Sequence, residues 1–290
     1  MIGSASRRPT FGPNDPVSAA VRAALGEALS RVQRDEFAAS RFEVEPVHRL
    51  RAACRRLRSV LRVFSPFLDD CWKTETGKEL KWLAARLGAV RDLDVLDVRL
   101  HEAARAVRAP ELVGLFRDLE DRRAAARAGL REALDSPRYR FLVNRIEEAV
   151  ARPPLTTEAR RPCRAALPAC LDRAWKKLKR RGRQLRKTDP EEAFHRVRVL
   201  AKRARYAAEA IAPGLDKGPR AAAAALATRA TKLQDQLGQL QDAVVAKRFL
   251  RHFQEASGEG KNALSPLLAS LRQDARQARS GACCLWKKVE

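Results

Sequence analysis

Aromatic residues make up only 6% of this 290-residue chain, and two tyrosines are among them. No basic segment is interleaved with aromatics, which argues against a platform for stacking single-stranded bases. Alternating runs of β-branched residues are missing as well, so strands are not expected. Apolar stretches are short and broken by charges, which excludes a bilayer span and membrane insertion. The polar start, Met1 to Pro16, lacks the apolar core of a secretion signal, so the expected compartment is the cytoplasm. Six cysteines, Cys54, Cys71, Cys163, Cys170, Cys283 and Cys284, form no CxxC pair and no Cys/His spacing suited to zinc. They read as free thiols. Also missing are a phosphate-cradling glycine-rich loop, HExxH, GxSxG and paired carboxylates that could hold a metal. Hydrolases and group-transfer enzymes commonly use a metal, a carboxylate base or a nucleophile. The expectation is therefore a binding protein and not an enzyme, with no catalytic residue, no metal and no cofactor.

Acid is scarce relative to base. Lys+Arg number 59 against Asp+Glu 35, a formal net charge of +24. A field of that size attracts polyanions: nucleic acid, polyphosphate or an anionic membrane surface. Arginine supplies 45 of the basic residues and lysine 14. The rigid guanidinium fork binds phosphate bidentately, although a GC-rich genome produces the same bias. With 45% hydrophobic residues the chain can still bury a substantial core.

What is present reads almost entirely as helix, rich in Ala, Leu, Arg and Glu. Pro46, Pro66, Pro110, Pro137, Pro190, Pro213 and Pro266 stand between amphipathic segments, where helices are expected to start or stop. The chain also repeats itself. Val47-His-Arg-Leu-Arg-Ala-Ala-Cys-Arg-Arg-Leu-Arg58 matches Phe194-His-Arg-Val-Arg-Val-Leu-Ala-Lys-Arg-Ala-Arg205 at an offset of 147, and Pro66 and Pro213 close the two segments. Downstream, Leu83-x3-Leu87-Gly88-x3-Asp92 matches Leu233-x3-Leu237-Gly238-x3-Asp242 at an offset of 150. Residues 1–16 are expected to be a disordered tail, 17–135 the first repeat, 136–157 a connecting helix and linker, and 158–290 the second repeat. The expected fold class is all-α: two tandem antiparallel four-helix bundles with pseudo-two-fold symmetry.

On a helix of 100° per residue, Val47, Leu50, Cys54, Leu57, Leu61 and Phe64 form one core-facing stripe. His48, Arg51, Arg55, Arg58 and Arg62 form a second, about 120° away and about 20 Å long. His195, Arg198, Lys202 and Arg205 repeat it, with Glu209 at the place of Arg62. Like charges at i,i+3 and i,i+4 repel by a few tenths of a kcal/mol per pair. Finding that pattern twice suggests that an anion occupies the stripe. Arg49, Arg56, Arg196 and Arg203 are secondary basic candidates beside it.

The helix before the second motif adds nine basic residues and no acid between Arg173 and Lys187. Lys176, Lys179, Arg183 and Arg186 line one flank, while Leu171, Trp175, Leu178 and Leu185 give it a core face. Gly88 and Gly238 read as helix C′ positions, and Asp92 and Asp242 as N-caps of the following helices. His101 and His252 read as structural, and Trp72, Trp82, Trp175 and Trp286 as core anchors.

Together VHRLRAACRRLRSVLRVFSPFL, FHRVRVLAKRARYAAEAIAP, LGAVRDLDVL and LGQLQDAV resemble the CHAD family, the conserved histidine α-helical domain. The resemblance runs from about Val17 to the C-terminus. It implies two four-helix bundles around a basic central channel that binds inorganic polyphosphate, often at polyphosphate granules. By position it carries that role to His48, Arg51, Arg55, Arg58, His195, Arg198, Lys202 and Arg205. Glu209, and the weakly basic helix before the first motif (Arg22, Arg31, Arg34), depart from the basic pattern. Nonspecific nucleic-acid binding and, further off, polyphosphate hydrolysis are the alternatives.

Overall fold

The computed structural model describes residues 11–107, 112–257 and 261–289. Its elements are α1 (Val17–Ser40), α2 (Val44–Val63), α3 (Asp70–Ala106), α4 (Val113–Asp135), α5 (Pro137–Ala151), α6 (Cys163–Ala166), α7 (Pro168–Gln184), α8 (Glu191–Ile211), α9 (Lys217–Ser257) and α10 (Lys261–Val289). Short 3-10 turns occupy Ser65–Phe67, Thr157–Arg160 and Ala212–Gly214. Among the described residues the extended pairings are two isolated bridges, Pro16 with Pro162 and Leu68 with Leu155, so the fold is all-α. No described helix is long and apolar enough to cross a membrane.

The prolines behave mostly as expected. Ser136 caps α5, its Oγ accepting the Tyr139 N–H at 3.2 Å, with Pro137 in the first turn. Both motif helices end in a 3-10 turn that contains a proline, Pro66 after α2 and Pro213 after α8. Pro266 is different: it lies inside α10. The ring removes one backbone donor, but Leu264, Leu267, Leu268 and Leu271 are buried on one face and carry the helix through. Pro110 and residues 1–10 lie outside the described residues.

Gly88 and Gly238 do not end helices. α3 runs 37 residues and α9 41 residues straight through them, and Asp92 and Asp242 are mid-helix rather than caps. Glycine in a helix interior costs about 1 kcal/mol relative to alanine. The long flanking runs of strong helix formers outweigh that cost, and the glycines have another use described below.

The chain divides into two compact units, each drawing segments from both sequence repeats. The first holds residues up to Gly88, Gly129–Trp175 and Arg203–Ala227. Its core is built on α1 packed against α2, with α5 lying on α1. All six residues of the predicted α2 stripe are buried, as are Val17, Val21, Leu25, Ala28 and Val32 of α1 and Tyr139, Leu142 and Ile146 of α5. Phe42, in the α1–α2 turn, takes φ of 60°, and the Arg131 guanidinium stacks on its ring at 4.8 Å. Residues 11–16, within the expected tail, are tied down: Cys163 N–H donates to Asp15 O at 2.8 Å and Arg164 N–H to Pro13 O at 2.9 Å.

The second unit holds Ala89–Ala128, Lys176–Lys202 and Thr228 onward. Its core joins Leu96 and Leu100 of α3, Leu115 and Leu119 of α4, Leu250 and Phe253 of α9, and Leu264, Leu267 and Leu271 of α10. His101 is structural as expected, its Nδ1 2.9 Å from Asp97 O and its ring stacked on Phe116. Of the four tryptophans Trp286 is buried, while Trp72, Trp82 and Trp175 are half-exposed. Trp82 is roofed by the Arg138 guanidinium at 4.3 Å, which shields an indole that does not reach the core.

Candidate anion-binding site

The motif helices start where acid favours a helix N-terminus: Glu45 lies in the first turn of α2, and Glu191 and Glu192 in that of α8. In the second unit α8 is pinned further. Lys247 donates to Glu191 at 2.6 Å, and Arg279 stacks on Phe194 at 4.8 Å while donating to Lys187 O and Asp189 O at 3.1 and 2.7 Å.

In the first unit, His48 is exposed, Arg51, Arg55 and Arg58 are half-buried, and Arg62 is exposed at the end of α2. Arg51 lies against α3. A Cβ built on Gly88 would stand 3.6 Å from Arg51 Nη2 and 3.8 Å from its Cζ. Arg58, Arg62 and Arg203 form a crowd of like charge. Desolvation among these side chains, followed by the charges of Arg203 and Arg58, pulls the Arg62 guanidinium down to about 10. Among the described residues no carboxylate lies within ion-pairing distance of these three arginines. Burial pushes the Cys54 thiol up to about 12 despite nearby Arg58, so that thiol stays neutral and inert.

The secondary candidates divide. Arg49 donates to the buried carboxylate of Asp35 at 2.8 Å, and Arg56 to Glu209 at 2.9 Å, with Glu27 3.8 Å away. Both are thus held in ion pairs within the fold. Arg203 joins the like-charge crowd, and Arg196 is exposed. Glu209, the acid interrupting the second ladder, also reaches Arg205 at 3.6 Å, and Arg205 stacks on Tyr206 at 4.6 Å. Sequence spacing gives no sign of this network, because its members come from α1, α2 and α8.

In the second unit, His195 Nδ1 lies 2.9 Å from Gln241 Oε1. An amide oxygen only accepts, so the contact fits the tautomer in which Nδ1–H donates to Gln241. Arg198 is seated on α9 as Arg51 is on α3: a Cβ on Gly238 would stand 3.6 Å from its Nη2. Lys202 is buried, 8% exposed. Burial raises the Asp242 carboxyl above the usual aspartate range, against the pull of Arg198, Arg99 and Lys202 and with Asp92 adding to the rise. Gln241 and Asp242 are side-chain partners of this ladder that sequence reasoning missed. Their positions three and four residues past Gly238 on an unbroken helix are the signal that could have found them.

On α7, Lys176 and Arg183 are exposed and Lys179 is half-buried. The core face is narrower than expected, with Leu178 and Leu185 buried but Leu171 and Trp175 only half so. Arg186 is not on the helix. α7 stops at Gln184, because the Arg186 N–H bonds Asp189 Oδ2 at 2.9 Å in a turn, and the Arg186 guanidinium folds back onto Arg183 O at 2.8 Å. It serves there as a cap on the helix carbonyls.

The CHAD domain model matches residues 23–251, and the chain belongs to that family. It is 30% identical over 251 residues to protein MT2285 of Mycobacterium tuberculosis strain CDC 1551, and equally to Rv2226 of strain H37Rv. Those matches cover 82% of this chain but 46% of theirs, so the chain spans about half the length of these curated relatives. Among solved structures it resembles the CHAD domain from the plant Ricinus communis, with a TM-score of 0.68, 27% identity and 97% of each chain covered. It also resembles PptA from Streptomyces chartreusis, with a TM-score of 0.77 at 20% identity over 94% of this chain and 100% of that one, a likeness of fold.

Proposed function

We propose that the chain binds inorganic polyphosphate, without catalysis, through the basic ladders of α2 and α8 and the flank of α7. The observation that carries this reading is the matching pair of basic ladders, with Arg51 seated at Gly88 and Arg198 at Gly238 at the same 3.6 Å, and with Arg58, Arg62 and Arg203 gathered as like charges near the end of the first. A fold that holds like charges together without counter-charge is strained until an anion arrives. Polyphosphate carries about one charge per phosphate and presents no bases to read, so it matches ladders of guanidinium and ammonium groups without a stacking platform. Membership of the CHAD family supports the same reading. The reading requires two four-helix bundles, related by a pseudo-two-fold axis, to frame a basic channel, and it places the protein in the cytoplasm at polyphosphate granules.

The test is a competition titration at physiological salt between long-chain polyphosphate and single-stranded DNA of equal total phosphate. Wild type and Arg51→Glu/Arg198→Glu are compared. Polyphosphate is expected to bind far tighter, with a log–log salt slope of about 0.7 per charge neutralised, and the double variant to lose the preference. Equal binding of the two polymers, unchanged in the variant, would mean that the charge is a diffuse coat.

A further inference from the structure

We propose that the first unit carries a separate pocket for a small amphipathic anion, an apolar body of one or two rings bearing a carboxylate or phosphate. A cavity of about 380 Å³ opens among α1, α2 and α8, a volume in the range of small-molecule sites. Its lining combines two chemistries. Ala23, Ala24, Val60, Ala210 and Pro213 give small apolar surface that leaves room for a ring, and Arg31 and Arg34, a turn apart on α1, give cationic surface.

The carboxylates along this pocket are already engaged. Glu27 accepts from Arg31 Nη2 at 2.7 Å, and Glu209 accepts from Arg56 Nη2 at 2.9 Å. Donor capacity remains at Arg34, whose side chain is exposed and, among the described residues, has no carboxylate within ion-pairing distance. Arg31, Arg34 and Arg56 outnumber Glu27 and Glu209 in the lining, so the ligand head is anionic, and the apolar side chains select for a body that polyphosphate does not have. The pocket thus uses Arg31 and Arg34, which lie outside the polyphosphate ladders, and it stands or falls separately from the polyphosphate reading.

Fluorescence titration of the full chain with 1-naphthyl phosphate, 1-naphthoate and neutral 1-naphthalenemethanol tests it. At least one of the two anions is expected to bind at a single site, at least tenfold tighter than the alcohol. Arg34→Ala should weaken that anion at least fivefold, and Arg34→Lys should restore most of the loss. Saturating polyphosphate, or Arg51→Glu/Arg198→Glu, should change its affinity by less than twofold. Equal binding of the alcohol, no effect of Arg34→Ala, or displacement by polyphosphate would each overturn the pocket. Loss of polyphosphate preference over DNA would instead count against the ladders and leave these expectations intact.

Discussion

Arg198 is seated on the α9 backbone at Gly238, its Nη2 3.6 Å from where a Cβ would stand. Arg51 and Gly88 repeat the relationship at the same 3.6 Å. In both repeats a mid-helix glycine stands under the matching arginine, so each guanidinium lies where a side chain longer than a methyl would meet it.

Substitution should separate the two roles of that glycine. A methyl group at 3.6 Å is ordinary contact, so Gly238→Ala is expected to stabilise the protein by up to about 1 kcal/mol through helix propensity. Its polyphosphate affinity should stay within a few-fold. Gly238→Leu should push Arg198 away and weaken polyphosphate binding by about tenfold, roughly 1.4 kcal/mol, the same loss expected of Arg198→Ala. Paired thermal unfolding and titration would check this, and full affinity in the leucine variant would mean the seat is irrelevant to binding.

The crowd around Arg62 predicts a trade between stability and binding. Desolvation and the charges of Arg203 and Arg58 hold its guanidinium at about 10, so its charge is disfavoured in the empty protein. Arg62→Gln should raise the stability of the unliganded chain by about 0.5 kcal/mol, two like-charge pairs being relieved. It should also weaken polyphosphate binding and lower the salt slope by about 0.7. Denaturant midpoints with and without saturating polyphosphate would read both effects. A variant less stable without ligand would contradict the repulsion.

A third prediction concerns packing alone. A Cβ on Gly182 of α7 would fall 2.4 Å from three ring atoms of Trp286, a buried side chain of α10 that fills the gap left by the glycine. Gly182→Ala should therefore destabilise by roughly 1–3 kcal/mol despite its better helix propensity. Gly77→Ala, with nothing within 4 Å, should be neutral or stabilising. Urea unfolding of the two variants side by side would separate them, and equal midpoints would show that the tryptophan moves aside freely.

Periodicity was enough to find the all-α fold and the α2 core stripe, because burial of Val47, Leu50, Cys54, Leu57, Leu61 and Phe64 depends on one helix's own spacing. The same argument failed at Gly88, Gly238, Asp92, Asp242 and Pro266. There, local stop signals compete with apolar faces supplied by other helices, and tertiary packing wins. Local pattern marked the basic ladders but could not sort them. That Arg49 is spent on buried Asp35, Arg56 on Glu209, and Arg186 on capping α7 depends on residues far apart in the chain or on where a turn falls.

Asp242 links the site to pH. Burial raises its carboxyl above the usual aspartate range, although Arg198, Arg99 and Lys202 pull it back. The folded protein therefore keeps this proton to a higher pH than the unfolded chain, whose aspartates titrate near 3.9. The stabilisation from this group is fully present below that unfolded value and is lost as pH rises through the raised folded value. Asp242→Asn cannot titrate, so its stability relative to wild type should increase as pH goes from about 3 to about 6. The same change removes a negative charge beside Arg198 and Lys202, so polyphosphate should bind the asparagine variant more tightly at neutral pH. Urea unfolding of both proteins across that range, with polyphosphate titrations at its upper end, would measure both effects. A stability difference that stays flat with pH would mean that Asp242 is as well solvated in the folded protein as in the unfolded chain.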